Sequence, residues 1–172
     1  MSNIVFIDTE IDQKSHRILD IGAIKSDEQS FHSNSINDFE RFLTDTEFIC
    51  GHNILIHDLK YLQNSQAHSS INSKKVIDTL HLSPLLFPSK PYHSLLKDDK
   101  LQTEDINNPL NDSIKAKDLF YDELSAFQNT EDAFRQILYY LLKDKKEFSS
   151  FFDFIGYHSN DENLKELILK HF

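Results

Sequence analysis

The segment Asn3-Ile-Val-Phe-Ile-Asp-Thr-Glu10 constrains this chain more than any other. Four apolar residues, Ile4 to Ile7, run directly into two carboxylates spaced two apart, which reads as a buried strand ending in acid. A strand projects residues i and i+2 from one face, so Asp8 and Glu10 point together from its end. Two like charges held there repel unless a cation sits between them. Oxygen donors of this kind suit Mg²⁺ or Mn²⁺, not zinc.

A length of 172 residues fits one domain with room for a small appendage. The apolar fraction of 39%, with 14 phenylalanines, supplies a substantial core and excludes wholesale disorder. No apolar run approaches the roughly 20 residues that cross a bilayer, and no basic segment precedes an apolar one as in a signal peptide. Cys50 is the only cysteine. It therefore forms no internal disulfide and builds no cysteine zinc site; it reads as a core thiol in a reducing cytoplasm. The net charge of −10 counts mildly against nucleic-acid binding, because phosphate contacts need Lys and Arg. Cations bound by carboxylates would cancel part of that charge.

Strands are expected over Asn3–Thr9, Arg17–Lys25 and Gln29–Ser33, forming an antiparallel meander. A helix over Ile36–Leu43 and a short strand over Phe48–Cys50 follow. Gly51-His52-Asn53 opens a helix reaching about Leu62, with Asn53 available as its cap. Asn64–Ser73 reads as a loop, Lys75–Asp78 as a strand, and Thr79 as the start of a helical turn. Pro84, Pro88 and Pro91 argue against long regular structure over Ser83–Tyr92. Asn108-Pro109 has the form of an N-cap followed by proline at the first helical position, opening a helix to about Phe127. Three further helices carry Ile137–Leu142, Phe148–Ile155 and Leu164–Ile168. The lysines Lys74, Lys75, Lys90, Lys97 and Lys100 read as solvated surface. The whole is an α/β arrangement: residues 1–128 as the main domain, and 129–172 as a helical extension leading toward a further domain.

Two more acids stand out by their settings. Asp58 interrupts the apolar residues of His52-Asn-Ile-Leu-Ile-His-Asp-Leu-Lys-Tyr-Leu62. Asp112 lies one turn into the Pro109 helix. With these in place, the chain resembles the DEDD family of 3′–5′ exonucleases, which has a ribonuclease-H-like fold. Phe6-Ile-Asp-Thr-Glu10 resembles its first motif, Gly51-His-Asn…His57-Asp58…Leu62 its second, and Asn108-Pro-Leu-Asn-Asp112 its third. Arg17-Ile-Leu-Asp-Ile-Gly-Ala23 and Val76-Ile-Asp-Thr-Leu80 resemble its second strand and the strand and turn after the second motif.

The resemblance implies a mixed sheet flanked by helices. It further implies that Asp8, Glu10, Asp58 and Asp112 hold two divalent cations, Mg²⁺ or Mn²⁺, about 4 Å apart. Nucleoside monophosphates would then be released from DNA 3′ ends. Thr9, Ile11, His52 and Asn53 would lie against the substrate, although Ile11-Asp12-Gln13 stands where the family often has Thr-Thr-Gly. Active members carry a His five residues before the last carboxylate or a Tyr four before it. Here those positions are Asn107 and Asn108, and an amide accepts no proton at neutral pH. Positioned acid–base groups contribute on the order of 10² to 10⁴ in rate, so the implied enzyme is slowed unless His57 or His93 substitutes. Leu85 to Leu96 resembles exonuclease domains attached to RecQ-type helicases, which implies a helicase domain in the same natural chain. The alternative is a catalytically impaired module that binds nucleic acid or acts as a scaffold in a larger DNA-processing protein.

Overall fold

The computed structural model describes residues 3–64, 70–95, 108–159 and 164–171. Five strands form one sheet: β1 (Ile4–Ile11), β2 (Ile18–Lys25), β3 (Ser30–Ser33), β4 (Phe48–Gly51) and β5 (Lys75–Asp78). Their order in space is β3-β2-β1-β4-β5. β1, β2 and β3 pair antiparallel, as the short polar turns between them dictate. β4 then returns through helix α1 (Ile36–Phe42) to lie parallel to β1, and β5 lies parallel to β4. The expected mixed sheet flanked by helices is thus the fold, and its form is compatible with a ribonuclease-H-like architecture.

β1 is central and buried on both faces, which explains its unbroken apolar run. Ile4 and Phe6 face one layer, together with Phe48, Cys50 and Ile77. Val5 and Ile7 face the other, with Ile21, Ala23, Ile49 and Phe39 of α1. The first layer is covered by α4 (Pro109–Asn129), α5 (Asp132–Leu142) and α6 (Ser149–Ile155) through Phe120, Phe127, Leu138, Phe151 and Phe152. Phe127 meets Phe151 edge-on at 5.4 Å and Phe120 meets Phe154 at 5.2 Å. Helices α5 and α6 therefore share the sheet's own core. The last helix, α7 (Leu164–His171), packs on α5. No described helix is long and apolar enough to cross a membrane.

Two elements differ from their sequence expectation. The helix expected from Asn53 begins only at Asp58, as α2 (Asp58–Asn64), after a run of turns. Asn53 does not cap it. Its φ of 65° is left-handed, and its backbone N–H donates to Asp78 Oδ1 at 2.8 Å. Helix α3 (Thr79–Leu86) runs through Pro84 instead of stopping there. Pro84 sits one turn from the helix end, so it forfeits one hydrogen bond, and burial of Leu82 and Ser83 holds the turn in place. A 3₁₀ turn, Ser70–Ser73, occupies the end of the expected Asn64–Ser73 loop.

Candidate functional site

The site is built around the C-terminal half of β1. Asp8 lies directly across from Gly22 of β2, and Glu10 across from Asp20. Gly22 decides what packs above. A Cβ there would lie 2.0 Å from Leu110 N and 2.1 Å from the Pro109 carbonyl carbon. The backbone at the start of α4 therefore rests on β2, one strand over from Asp8. Asn108 sets that helix start by accepting from the N–H groups of Leu110 and Asn111, at 3.0 and 3.4 Å. Asp112 falls in the first turn, where Lys115 Nζ approaches its Oδ1 at 3.4 Å.

Asp58 arrives from the other side. β4 pairs with β1 only as far as Phe6 opposite Cys50, so the β1 edge at Thr9 carries no strand partner on that side. Asp58 takes its place. Its Oδ1 accepts from Thr9 N–H at 3.0 Å and from the Thr9 hydroxyl at 2.6 Å, and the residue is 1% exposed. Asp78 organises the turn that delivers it. This fully buried carboxylate accepts from Asn53 N–H, Leu55 N–H and Leu80 N–H at 2.8, 3.1 and 3.0 Å. Three backbone donors on one side chain pin the chain between β4 and α2 and cap α3 at the same time.

The charges of the corner act on one another. Burial pushes the Asp8 carboxyl up to about 8, and the anions Asp58, Asp112 and Glu10 push in the same direction. The four expected carboxylates are thus close enough to interact. His57 Nδ1 lies 3.7 Å from Asp58 Oδ1, an ion-pair separation and not a hydrogen bond. That contact holds the imidazole above its ordinary value. The electrostatics fit a hard divalent cation, because a shared positive charge would relieve every member. A closed ligand set is not already formed: among the described residues, no three or more His, Cys, Asp or Glu side chains make a metal-holding group.

The other expected residues are distributed as follows. Thr9 and Ile11 are buried, Thr9 in its bonds to Asp58 and Ile11 in the core at the β1 bulge. His52 Nδ1 sits 2.9 Å from Thr79 Oγ1, and burial lowers its proton affinity. His93 pairs with Ser83 at 2.9 Å and lies beside His52. Asn107 lies outside the described residues. Asn108 spends its side-chain oxygen on the helix cap.

Sequence reasoning missed three participants and one buried acid outside the site. Gly22 and Asp78 act as above. Asp20, opposite Glu10, holds His32 Nε2 at 2.6 Å. Glu123 of α4 is fully buried, and both its carboxyl oxygens lack a hydrogen-bond partner among the described residues. Burial pushes it up to about 9, and Asp78 adds to the shift.

No family model matches the chain, and no curated protein matches it. Among solved structures it is similar to the family B DNA polymerase from the hyperthermophilic archaeon Pyrobaculum calidifontis, with 12% identity and a TM-score of 0.46. The match covers 94% of this chain and 31% of the polymerase. A likeness of that size carries no weight for the activity, which is argued below from the chain's own residues.

Proposed function

We propose that this chain is a metal-dependent phosphodiester hydrolase of the 3′–5′ exonuclease type, acting on DNA 3′ ends. One observation carries the reading. Asp8, half-buried in the C-terminal half of the central strand β1, is pushed up to about 8 by desolvation and by the three carboxylates Asp58, Asp112 and Glu10. An arrangement that unfavourable for an apo protein becomes favourable once divalent cations are shared. Asp8, Glu10, Asp58 and Asp112 would hold them. Bound there, two such ions supply an activated water and charge compensation at the scissile phosphate.

The chain's own residues do the rest. Thr9 fixes Asp58 through Oδ1, which leaves Oδ2 as the oxygen for a cation. Lys115 beside Asp112 tempers the corner's charge. His57 is the better substitute base, since it stands beside Asp58 with 41% of its side chain exposed, whereas His93 is engaged by Ser83. The test is Mn²⁺-dependent digestion of a 5′-labelled single strand, read as a ladder of products shortened from the 3′ end. The wild type should digest slowly, Asp8→Ala not at all, and Asn107→His faster than wild type.

The second reading is a catalytically impaired nucleic-acid-binding or scaffold module of a larger DNA-processing protein. The absence of a preformed ligand group among the described residues favours it. It wins if neither the wild type nor Asn107→His digests any strand.

A further inference from the structure

A groove of about 400 Å³ opens between α2, β5 and the segment leading into α6. Lys60, Lys74, Lys75 and Lys146 line it, and no Asp or Glu does. In a chain of net charge −10, that concentration is unexpected. The lysines come from three separate stretches of sequence, so the fold gathers them and no basic run does.

Their ammonium groups are not equivalent. Lys75 is neutralised by Glu47 and Asp153, at 3.2 and 3.1 Å. Lys74 instead donates to the carbonyls of Leu43 and Thr46, at 3.1 and 2.6 Å. These neutral acceptors fix its position, and among the described residues no carboxylate pairs with it. Lys60 lies over the Tyr61 ring at 4.6 Å and is exposed, as is Lys146. Three cations thus share a groove with the neutral donors Gln63 and Ser149 and an apolar floor of Leu55, Leu59 and Val76. Positive charge with neutral hydrogen-bond donors suits phosphodiester oxygens. The apolar floor suits unstacked bases, which a duplex keeps inside.

Resting on the nucleic-acid reading above, we propose that this groove seats the backbone of a single-stranded nucleic acid, independently of divalent cations. The groove runs along α2, the helix that Asp58 opens. It answers the difficulty posed by the acidic composition, since the polymer meets a local cationic surface and not the average one.

The test is fluorescence anisotropy of a labelled single-stranded oligonucleotide, DNA and RNA in separate arms, with the full chain in EDTA at several salt concentrations. Lys60→Ala combined with Lys146→Ala should weaken binding on the order of tenfold and make the salt slope shallower by about 1.4, two contacts at 0.7 each. Both lysines are exposed, so the fold is expected to survive, checked by an unchanged melting temperature. Asp8→Ala should bind as the wild type does. Wild-type affinity and slope in the lysine variant would overturn the groove, as would polyglutamate or a mononucleotide competing as well as the strand. Metal-free binding that depends on the two lysines, without digestion by the wild type or by Asn107→His, sinks the nuclease reading and keeps the groove. Digestion with binding indifferent to the lysines does the reverse.

Discussion

Asp8 and Glu123 are both held far above the ordinary carboxylate range, at about 8 and about 9, but in different surroundings. Asp8 stands at the end of a strand with Asp58, Asp112 and Glu10 around it. Glu123 lies in the middle of α4, fully buried, with both oxygens unpaired among the described residues. Burial is the largest cause for each. The difference lies in what relieves the strain. A proton suffices for Glu123, where the anions Asp78 and Asp122 are partly offset by the cation Lys90. Three anions around Asp8 call for more positive charge than one proton supplies. An elevated carboxyl alone is thus no sign of a site.

The largest effect that separates the two regions is in stability against pH. Both groups keep their proton in the fold at pH values where the unfolded chain has released it. Each therefore lowers stability as pH rises, by about 1.4 kcal/mol per pH unit. The window opens in the ordinary carboxylate range and closes near 8 for Asp8 and near 9 for Glu123. Denaturant titrations should show this fall. Saturating Mn²⁺ should remove the Asp8 part, and Glu123→Gln should remove the other. A Mn²⁺-insensitive profile would put the two carboxyls in one class.

Catalysis should separate them next. Asp8→Ala is expected to cost on the order of 10³ in the Mn²⁺-dependent rate, about 4 kcal/mol of barrier. Glu123→Gln should leave the rate within a few-fold. Equal losses in an oligonucleotide digestion assay would break the contrast. Gly22→Ala comes third. Its methyl would meet the backbone of Leu110 at 2.0 Å, so α4 must lift from β2. We expect a loss of about 3 kcal/mol in urea unfolding, together with weakened Mn²⁺ binding because Asp112 travels with the helix. Thr9→Val is the smallest. It removes the 2.6 Å hydroxyl bond to Asp58 and keeps the backbone one, for a loss of about 2 kcal/mol.

Much of this was legible in local chemistry. The apolar run of β1 and its alternating carboxylates announced a central strand with an acidic end. Asn108-Pro109 announced the start of α4, because a cap needs only neighbours in sequence. The start of α2 was not legible, since the groups that hold the preceding turn belong to Asp78, a residue on another strand. Gly22 left a weaker signal: an isolated glycine inside a strand pattern marks close backbone approach. Glu123 left one that was overlooked. It occupies the same helical stripe as Ala116, Phe120 and Phe127, all buried, so its position was that of a core residue. The lysine groove left none, because its members meet only in the fold.

The central claim is that the Asp8 corner exchanges a proton for a shared divalent cation. Calorimetric titration with Mn²⁺ at pH 7, repeated in two buffers of different ionisation heat, tests it directly. The expected result is binding with release of about one proton, lost in Asp8→Asn and retained in Glu123→Gln. Absence of Mn²⁺ binding, or binding without proton release that Asp8→Asn leaves unchanged, would contradict it.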